Sequence, residues 1–237
     1  MAVLARLTQP VENRLLAALP RDEYERLTPN FQQVSFSLGE VVYEFAGQLD
    51  YVFFPTTSIV SLLYTMSNGA TAEMGLTGND GVVGIALFMG GNTMPNRAVV
   101  QSAGDAIRLK AKVLKDEFAL GGKFQYLLLR YTQALITQIS QTAVCNRLHS
   151  VEQQLCRWLL LSHDRVKADE LIMTQELIAD MLGVRREGVT VAAGHLQDIG
   201  AISYVRGRIK ILDRPKLEET VCECYRVVKD EVDRLLA

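Results

Sequence analysis

An α+β chain in three parts is what this sequence predicts: an N-terminal β-roll, a long helix suited to dimerisation, and a C-terminal winged helix-turn-helix. Three observations predict it. Runs rich in Val, Phe, Tyr, Ile and Thr fill residues 31–109, with turn signals about every ten residues. Apolar residues recur at helical spacing through LLLRYTQALITQISQTAV. Then QELIADMLGVRREGVTVAAG, residues 175–194, precedes two alternating runs about a glycine. The parts divide as 1–111, helices and roll forming a sensor domain; 112–149, the connecting helix; and 150–237, a DNA-binding domain.

Composition sets the bounds. With 237 residues and 49% hydrophobic content, the chain can bury one large or two modest cores. No apolar run approaches the roughly 18 residues of a membrane span. The opening MAVLARLTQP lacks the extended apolar core of a secretion signal, so a cytoplasmic protein without membrane contact is expected. Cys145, Cys156, Cys222 and Cys224 form no CxxC pair, and His149, His163 and His195 make no ligand ladder with them. They read as free thiols, with no metal expected; a redox or soft-metal role for the Cys222-Glu-Cys224 pair is the alternative.

In chain order, Leu15, Leu16, Leu19 and Leu27 surround a break at Pro20, where one helix ends and another begins with Asp22 in its first turn. The roll follows, and Asn68-Gly69 between SLLYTM and ATAEMGL is its sharpest hairpin signal. Residues 112–148 are helical again. There Leu128, Tyr131, Leu135, Ile139 and Thr142 follow a three-four alternation, the seam of paired helices, and are the expected dimer interface; the alternative is a helix lying on its own β domain. Neighbouring Leu127, Leu129 and Ile136 widen the apolar surface, so a second side is expected to lie on the roll. Ser150 can cap a helix carrying Leu155, Trp158, Leu159 and Leu161. Charged, irregular SHDRVKADE then links to the motif helices, and residues 215–237 read as one amphipathic helix.

Within the motif, Leu177, Ile178, Met181 and Leu182 bury one face of a helix that ends near Gly183, and Thr174 sits where an N-cap belongs. Val184, Val189, Ala192, Ala193 and Leu196 form the next stripe. Arg185, Arg186, Glu187 and Thr190 fall off it and are left to meet something. Ala179 supplies the small residue that a steep helix crossing needs. ISYVRGRIKIL, residues 202–212, then reads as a hairpin, the wing. From residue 185 to 216 there are seven basic residues against three acidic ones, while the whole chain carries −2. Phosphate binding asks for that asymmetry, because each bound phosphate releases condensed counterions.

A roll, a long helix and a winged helix together resemble the Crp/Fnr family of bacterial regulators. The likeness rests on Leu38-Gly39-Glu40-Val41-Val42-Tyr43 with Gly47, on Gly78-Asn79-Asp80-Gly81-Val82-Val83-Gly84, on MTQELIADMLGVRREGVT and on ISYVRGRIKIL, spanning residues 12–215. It implies a cyclic-nucleotide-binding-like roll, a homodimer, double-stranded DNA as partner, and RNA polymerase as a further one. It also implies that Arg186-Glu187 reads bases, a role that guanidinium to guanine and carboxylate to cytosine would fit. The DNA-binding set is then Thr174, Gln175, Arg185, Arg186, Glu187, Thr190, Arg206, Arg208 and Lys210. Val191 stands where the cyclic AMP receptor branch has another base-contacting arginine, so a different operator is expected.

Cyclic-nucleotide binders of that family use a Gly-Glu-Leu segment and, about ten residues on, an arginine beside a hydroxyl. Gly84-Ile85-Ala86-Leu87 offers no glutamate, and Arg97 is followed by Ala98. Gly84, Arg97 and Ala98 are the effector-pocket candidates. No cofactor is expected; a cyclic nucleotide is not supported by the motif, and another small effector stays open. Arg97 reads either as an anion cradle or as a strand-bridging arginine. An enzyme with a metal site in the roll is disfavoured, since residues 31–110 contain no histidine. The expected function is sequence-specific DNA binding by a transcription regulator; the alternative is a ligand-sensing or protein-interaction module without DNA binding.

Overall fold

A computed structural model describes residues 12–166 and 168–236; the MAVLARLTQP stretch read for a secretion signal lies outside them. Asn13 caps α1 (Arg14–Ala17), accepting from the Leu15 and Leu16 amides while its Nδ2 donates to the Pro55 and Gly81 carbonyls. Pro20 provides the predicted break, and α2 (Arg21–Leu27) follows it. The roll consists of β1 (Gln32–Phe36), β2 (Val41–Tyr43), β3 (Tyr51–Pro55), β4 (Ile59–Thr65), β5 (Thr71–Thr77), β6 (Arg97–Ser102) and β7 (Gly104–Lys110). They form two antiparallel sheets, ordered β1-β7-β3 and β2-β6-β4-β5. Val52, Phe54, Ile59, Val60, Ala98, Val100 and Leu109 are buried in the roll. The Asn68-Gly69 hairpin joins β4 to β5 as predicted, with the Asn68 side chain accepting from the Ala70 amide.

Residues 112–148, read as continuously helical, are two helices: α3 (Ala111–Ala119) and α4 (Gly122–Leu148). Gly121 and Gly122, at φ 81° and 79°, take left-handed conformations that end one helix before the next begins. The Glu23 carboxylate of α2 caps α4, accepting from the Lys123 and Phe124 amides at 2.9 and 2.7 Å. Negative charge at a helix N-terminus satisfies orphan donors and the dipole together.

The dimer row needs correcting. Leu128, Tyr131, Leu135 and Thr142 are buried within the protomer, and Ile139 is half-buried against the same core. Tyr131 Oη meets Thr77 Oγ1 at 2.8 Å, its ring lying over Gly81. Gln138 pairs with both backbone groups of Leu76. This row therefore lies inside the protomer, with Tyr131 and Leu135 against the roll and Thr142 accepting from Arg157. The exposed row is Tyr126, Leu129, Gln133, Ile136, Ser140 and Ala143, which has the same three-four spacing one face further round. Periodicity found a seam but could not choose between two faces of one helix.

Next come α5 (Val151–His163), β8 (Glu170–Ile172), α6 (Gln175–Leu182), α7 (Arg186–Asp198), β9 (Ile202–Val205), β10 (Arg208–Ile211), α8 (Arg214–Thr220) and α9 (Cys224–Leu236). Ser150 caps α5 in a reciprocal box with Gln153. The linker is less irregular than predicted: Ser162 and His163 belong to α5, and β8 adds a third strand to the wing in the order β8-β10-β9. The tail, read as one helix, is two, broken at Val221–Glu223. Its α9 buries Tyr225, Val228, Val232 and Leu235 and runs beside α4, where Arg130 donates to the Arg234 carbonyl. No helix among the described residues is long and apolar enough to cross a membrane.

Candidate nucleic-acid interface and the thiol cluster behind it

The helix pair is built as its residues dictate. Thr174 Oγ1 accepts from the Leu177 amide and caps α6, and Gly183 ends it in the left-handed region at φ 66°. The Val184 amide then returns to the Ala179 carbonyl at 3.0 Å, tightening the turn. Ile178, Ala179, Met181 and Leu182 of α6 and Val189, Ala192, Ala193 and Leu196 of α7 are all buried. With that face consumed, Arg185, Arg186, Glu187 and Thr190 are left exposed at the start of α7. Arg185 occupies the N-cap position without making a side-chain cap, so its guanidinium projects free of the helix end it opens.

Thr174, Gln175 and Thr190 are brought together with this edge. Thr190 Oγ1 lies 2.9 Å from Gln175 Oε1 and 3.1 Å from the Arg186 carbonyl, tying the start of α6 to the first turns of α7. His195 anchors α7 to α5 through Glu152 at 2.6 Å. Val191, the residue from which a different operator is expected, is 74% exposed on the same face. An apolar side chain displayed there matches the thymine methyl in a major groove.

The wing turns through Arg206 and Gly207, at φ 50° and 76°, the two successive left-handed residues of a tight hairpin. Tyr204 Oη donates to the Met173 carbonyl and the Met173 amide to Gly207, so the turn lies against the entrance to α6. Arg206, Arg208 and Lys210 are exposed. Arg208 meets Glu170 across the sheet at 2.6 Å, which offsets part of its charge. Two of the seven basic residues counted in this region do not join the face. Arg214 is held by Asp164, Glu218 and Tyr225, and Lys216 donates to the Ile199 carbonyl. The surface positive charge is thus more concentrated on α7 and the wing tip than the sequence count implied.

The effector candidates do not form a comparable cradle. Arg97 reaches Glu44 at 3.1 Å, the strand-bridging role, and Ala98 is fully buried in β6 opposite Leu62. Gly84, at φ 103°, shapes the backbone turn before a short 3₁₀ segment at Ile85–Leu87.

Three cysteines read as free thiols, with a redox or soft-metal role for Cys222 and Cys224 as the alternative, stand together in space, and a histidine stands with them. Cys145 and His149 lie one turn apart at the end of α4, while Cys222 and Cys224 flank the joint between α8 and α9. Their ligating atoms all lie within 4.8 Å of one another. This corrects the reading that no histidine joins the cysteines: the partners are 77 residues apart in the chain, beyond any spacing rule. The hydrogen bond between Cys145 and Cys222 pulls the Cys222 thiol down to about 5 against the opposing effect of burial, and pushes Cys145 up.

Comparison with known proteins agrees with this geometry. Residues 153–220 match the family described as the Crp-like helix-turn-helix domain. No curated protein sequence matches the chain. Among solved structures, the fold is similar to FixK2 from Bradyrhizobium japonicum, at 18% identity and TM-score 0.66, over 81% of this chain and 98% of that one. It is also similar to a CRP-family transcriptional regulator of Thermus thermophilus, at 16% identity and TM-score 0.65, over 79% and 95%. The c-di-GMP responsive global regulator CLP of Xanthomonas campestris resembles it at 14% identity and TM-score 0.63, over 81% and 99%. Residues 153–220 are thus similar to the Crp-like helix-turn-helix domain, and the chain that carries them has the fold seen in solved Crp/Fnr regulators.

Proposed function

We infer that the protein is a sequence-specific DNA-binding transcription regulator of the Crp/Fnr type, acting as a homodimer. The observation that carries this is the start of α7, where Arg185, Arg186, Glu187, Thr190 and Val191 stand exposed on a helix whose other face is buried. In this reading α7 enters the major groove, Arg186 and Glu187 take base edges, Val191 covers a thymine methyl, and Arg206 and Lys210 neutralise backbone phosphates. Arg185 adds a phosphate contact near the groove edge.

Pairing of two chains is supported by the exposed apolar row of α4, with Tyr126, Leu129 and Ile136 at 48%, 46% and 57% exposure. Two such helices in parallel would bury the row between them and place two α7 helices on half-sites about one helical turn apart. Selecting preferred duplexes from random DNA, then measuring affinity against salt, tests the whole reading. A two-fold symmetric site with a steep negative salt slope is expected. No enriched sequence and a flat slope would instead favour a module that does not bind DNA.

A further inference from the structure

We propose that Cys145, His149, Cys222 and Cys224 bind one zinc ion, which clamps the joint between α8 and α9 to the end of α4. The site is separate from the DNA-binding face, and neither reading depends on the other.

The spacing of the four groups suits a single tetrahedral ion. Zinc–sulfur bonds of about 2.3 Å and zinc–nitrogen bonds of about 2.0 Å place neighbouring ligand atoms about 3.5–3.8 Å apart at tetrahedral angles. Cys145 Sγ and Cys222 Sγ are 3.6 Å apart, and Cys224 Sγ and His149 Nδ1 are also 3.6 Å apart. Both sulfurs of the first pair are far outside the roughly 2.05 Å of a disulfide. With every ligand atom within 4.8 Å of the others, the remaining pairs need close by no more than about 1 Å to share a single ion.

The chemistry of the donors points the same way. Three soft thiolates and one imidazole form a closed structural zinc set, leaving no coordination position for a substrate. The histidine is already oriented for the task, since its Nε2 faces the Glu223 carboxylate at 3.4 Å and Nδ1 faces the cluster. A carboxylate on the far ring nitrogen fixes the tautomer and makes the near nitrogen a better ligand. A divalent ion with three thiolates and a neutral imidazole carries one net negative charge. Arg157, 4% exposed, acts electrostatically on Cys145 and supplies the opposite charge from α5.

Packing gives the ion something to hold. Among the described residues, Cys145, Cys222 and Cys224 make a small buried cluster apart from the main core, with Val221 alone packed against it. So few apolar atoms contribute little burial energy by themselves. Yet the segment they fix is the start of α9, which lies along α4 beside the junction of the two domains. Bonds to a metal join two chain segments there more strongly than this minor cluster does.

The test is metal content. The full chain, purified without chelators from cells supplied with zinc, should contain about one zinc per chain by elemental analysis and native mass spectrometry. Cys222→Ser and Cys145→Ser should each lower the content at least tenfold, whereas Cys156→Ser, altering a buried thiol outside the cluster, should keep it. Cobalt(II) added to the metal-free chain should give the visible bands and sulfur charge transfer of a tetrahedral thiolate site. A full-length chain that takes up neither ion overturns the proposal. So does zinc retained in both variants, a six-coordinate cobalt spectrum, or a Cys145–Cys222 disulfide in the freshly isolated protein.

Discussion

Arg165, just beyond α5, and Asp80, in the turn after β5, form a buried two-pronged ion pair across the domain junction, with Nη2 to Oδ2 at 2.6 Å and Nε to Oδ1 at 3.1 Å. The remaining guanidinium nitrogen Nη1 donates to the Leu161 carbonyl at 2.7 Å. Gly78 makes the approach possible, because a Cβ there would sit 2.7 Å from the Arg165 Cβ. The Gly78-Asn-Asp-Gly81 stretch that carried part of the sequence likeness is therefore a socket: Gly78 admits Arg165, Gly81 admits the Tyr131 ring, and Asp80 supplies the charge. It binds the roll to both α4 and the C-terminal domain.

Removing Asp80 leaves a buried guanidinium without its partner, a change that costs about 3–5 kcal/mol. Asp80→Ala should lower the urea midpoint accordingly, and Gly78→Ala should also destabilise through the clash with Arg165. An Asp80→Ala chain as stable as the original would remove the ion pair from this account of the junction.

A second polar link joins the same two domains. Glu73 of β5, Ser61 of β4, Gln101 of β6 and Ser162 of α5 form one buried chain of hydrogen bonds. Burial pushes the Glu73 carboxyl up from 4.5 to about 7, against the pull of Ser61 and of Arg157. Between those two pH values the folded chain keeps a proton that the unfolded chain has released, so stability is greatest below about 4.5 and falls as pH rises through about 7. The full loss is on the order of 3 kcal/mol. Glu73→Gln removes this component, and its melting temperature should gain on that of the unchanged chain as pH rises from 5 to 8. A difference that did not vary with pH would contradict the assignment.

Local features were legible because local chemistry determines them. Thr174 as a cap, Gly183 as a left-handed stop, the Asn68-Gly69 hairpin and the α7 stripe each depend on residues within one turn of themselves. What the sequence hid depends on partners far along the chain. Glu23 caps α4 from 100 residues away, and Cys145 and His149 meet Cys222 and Cys224 only because α9 lies along α4. The dimer row failed for a related reason: with the roll on one side of α4 and α9 on another, apolar positions recur on more than one face.

The exposed row makes a separable prediction. Ile136 sits in its middle, away from the roll, so Ile136→Glu should leave the protomer folded while placing like charges face to face in a pair. Sedimentation should show a monomer with an unchanged circular dichroism spectrum. Affinity for a two-half-site duplex should fall well over tenfold, because one chain can then grip only one half. A dimer that persisted would move the interface off this row.

Gly194 lies in the middle of α7, and a Cβ added there meets nothing within 4 Å. Its conformation is helical, so alanine fits without strain. Gly194→Ala should stabilise the protein by about 1 kcal/mol, since glycine costs that much relative to alanine inside a helix. A measured loss of stability would show that α7 is curved or crowded at that point.

On DNA, position should decide the kind of loss. Arg186 stands in the first turn of α7 and Lys210 on the exposed face of β10, so the proposed function gives base edges to one and backbone phosphate to the other. Arg186→Ala should cost about 1–3 kcal/mol on the preferred duplex and relax selectivity at one base position. Lys210→Ala should weaken every duplex alike and reduce the salt slope by roughly one. Val191→Ala completes the set: losing an apolar contact without a charge, it should spare the salt slope and act only where the site carries thymine. Binding of the three variants to a panel of single-base operator changes, each at several salt concentrations, separates these outcomes. Identical profiles for Arg186→Ala and Lys210→Ala would mean that helix and wing contact the duplex through phosphates alone.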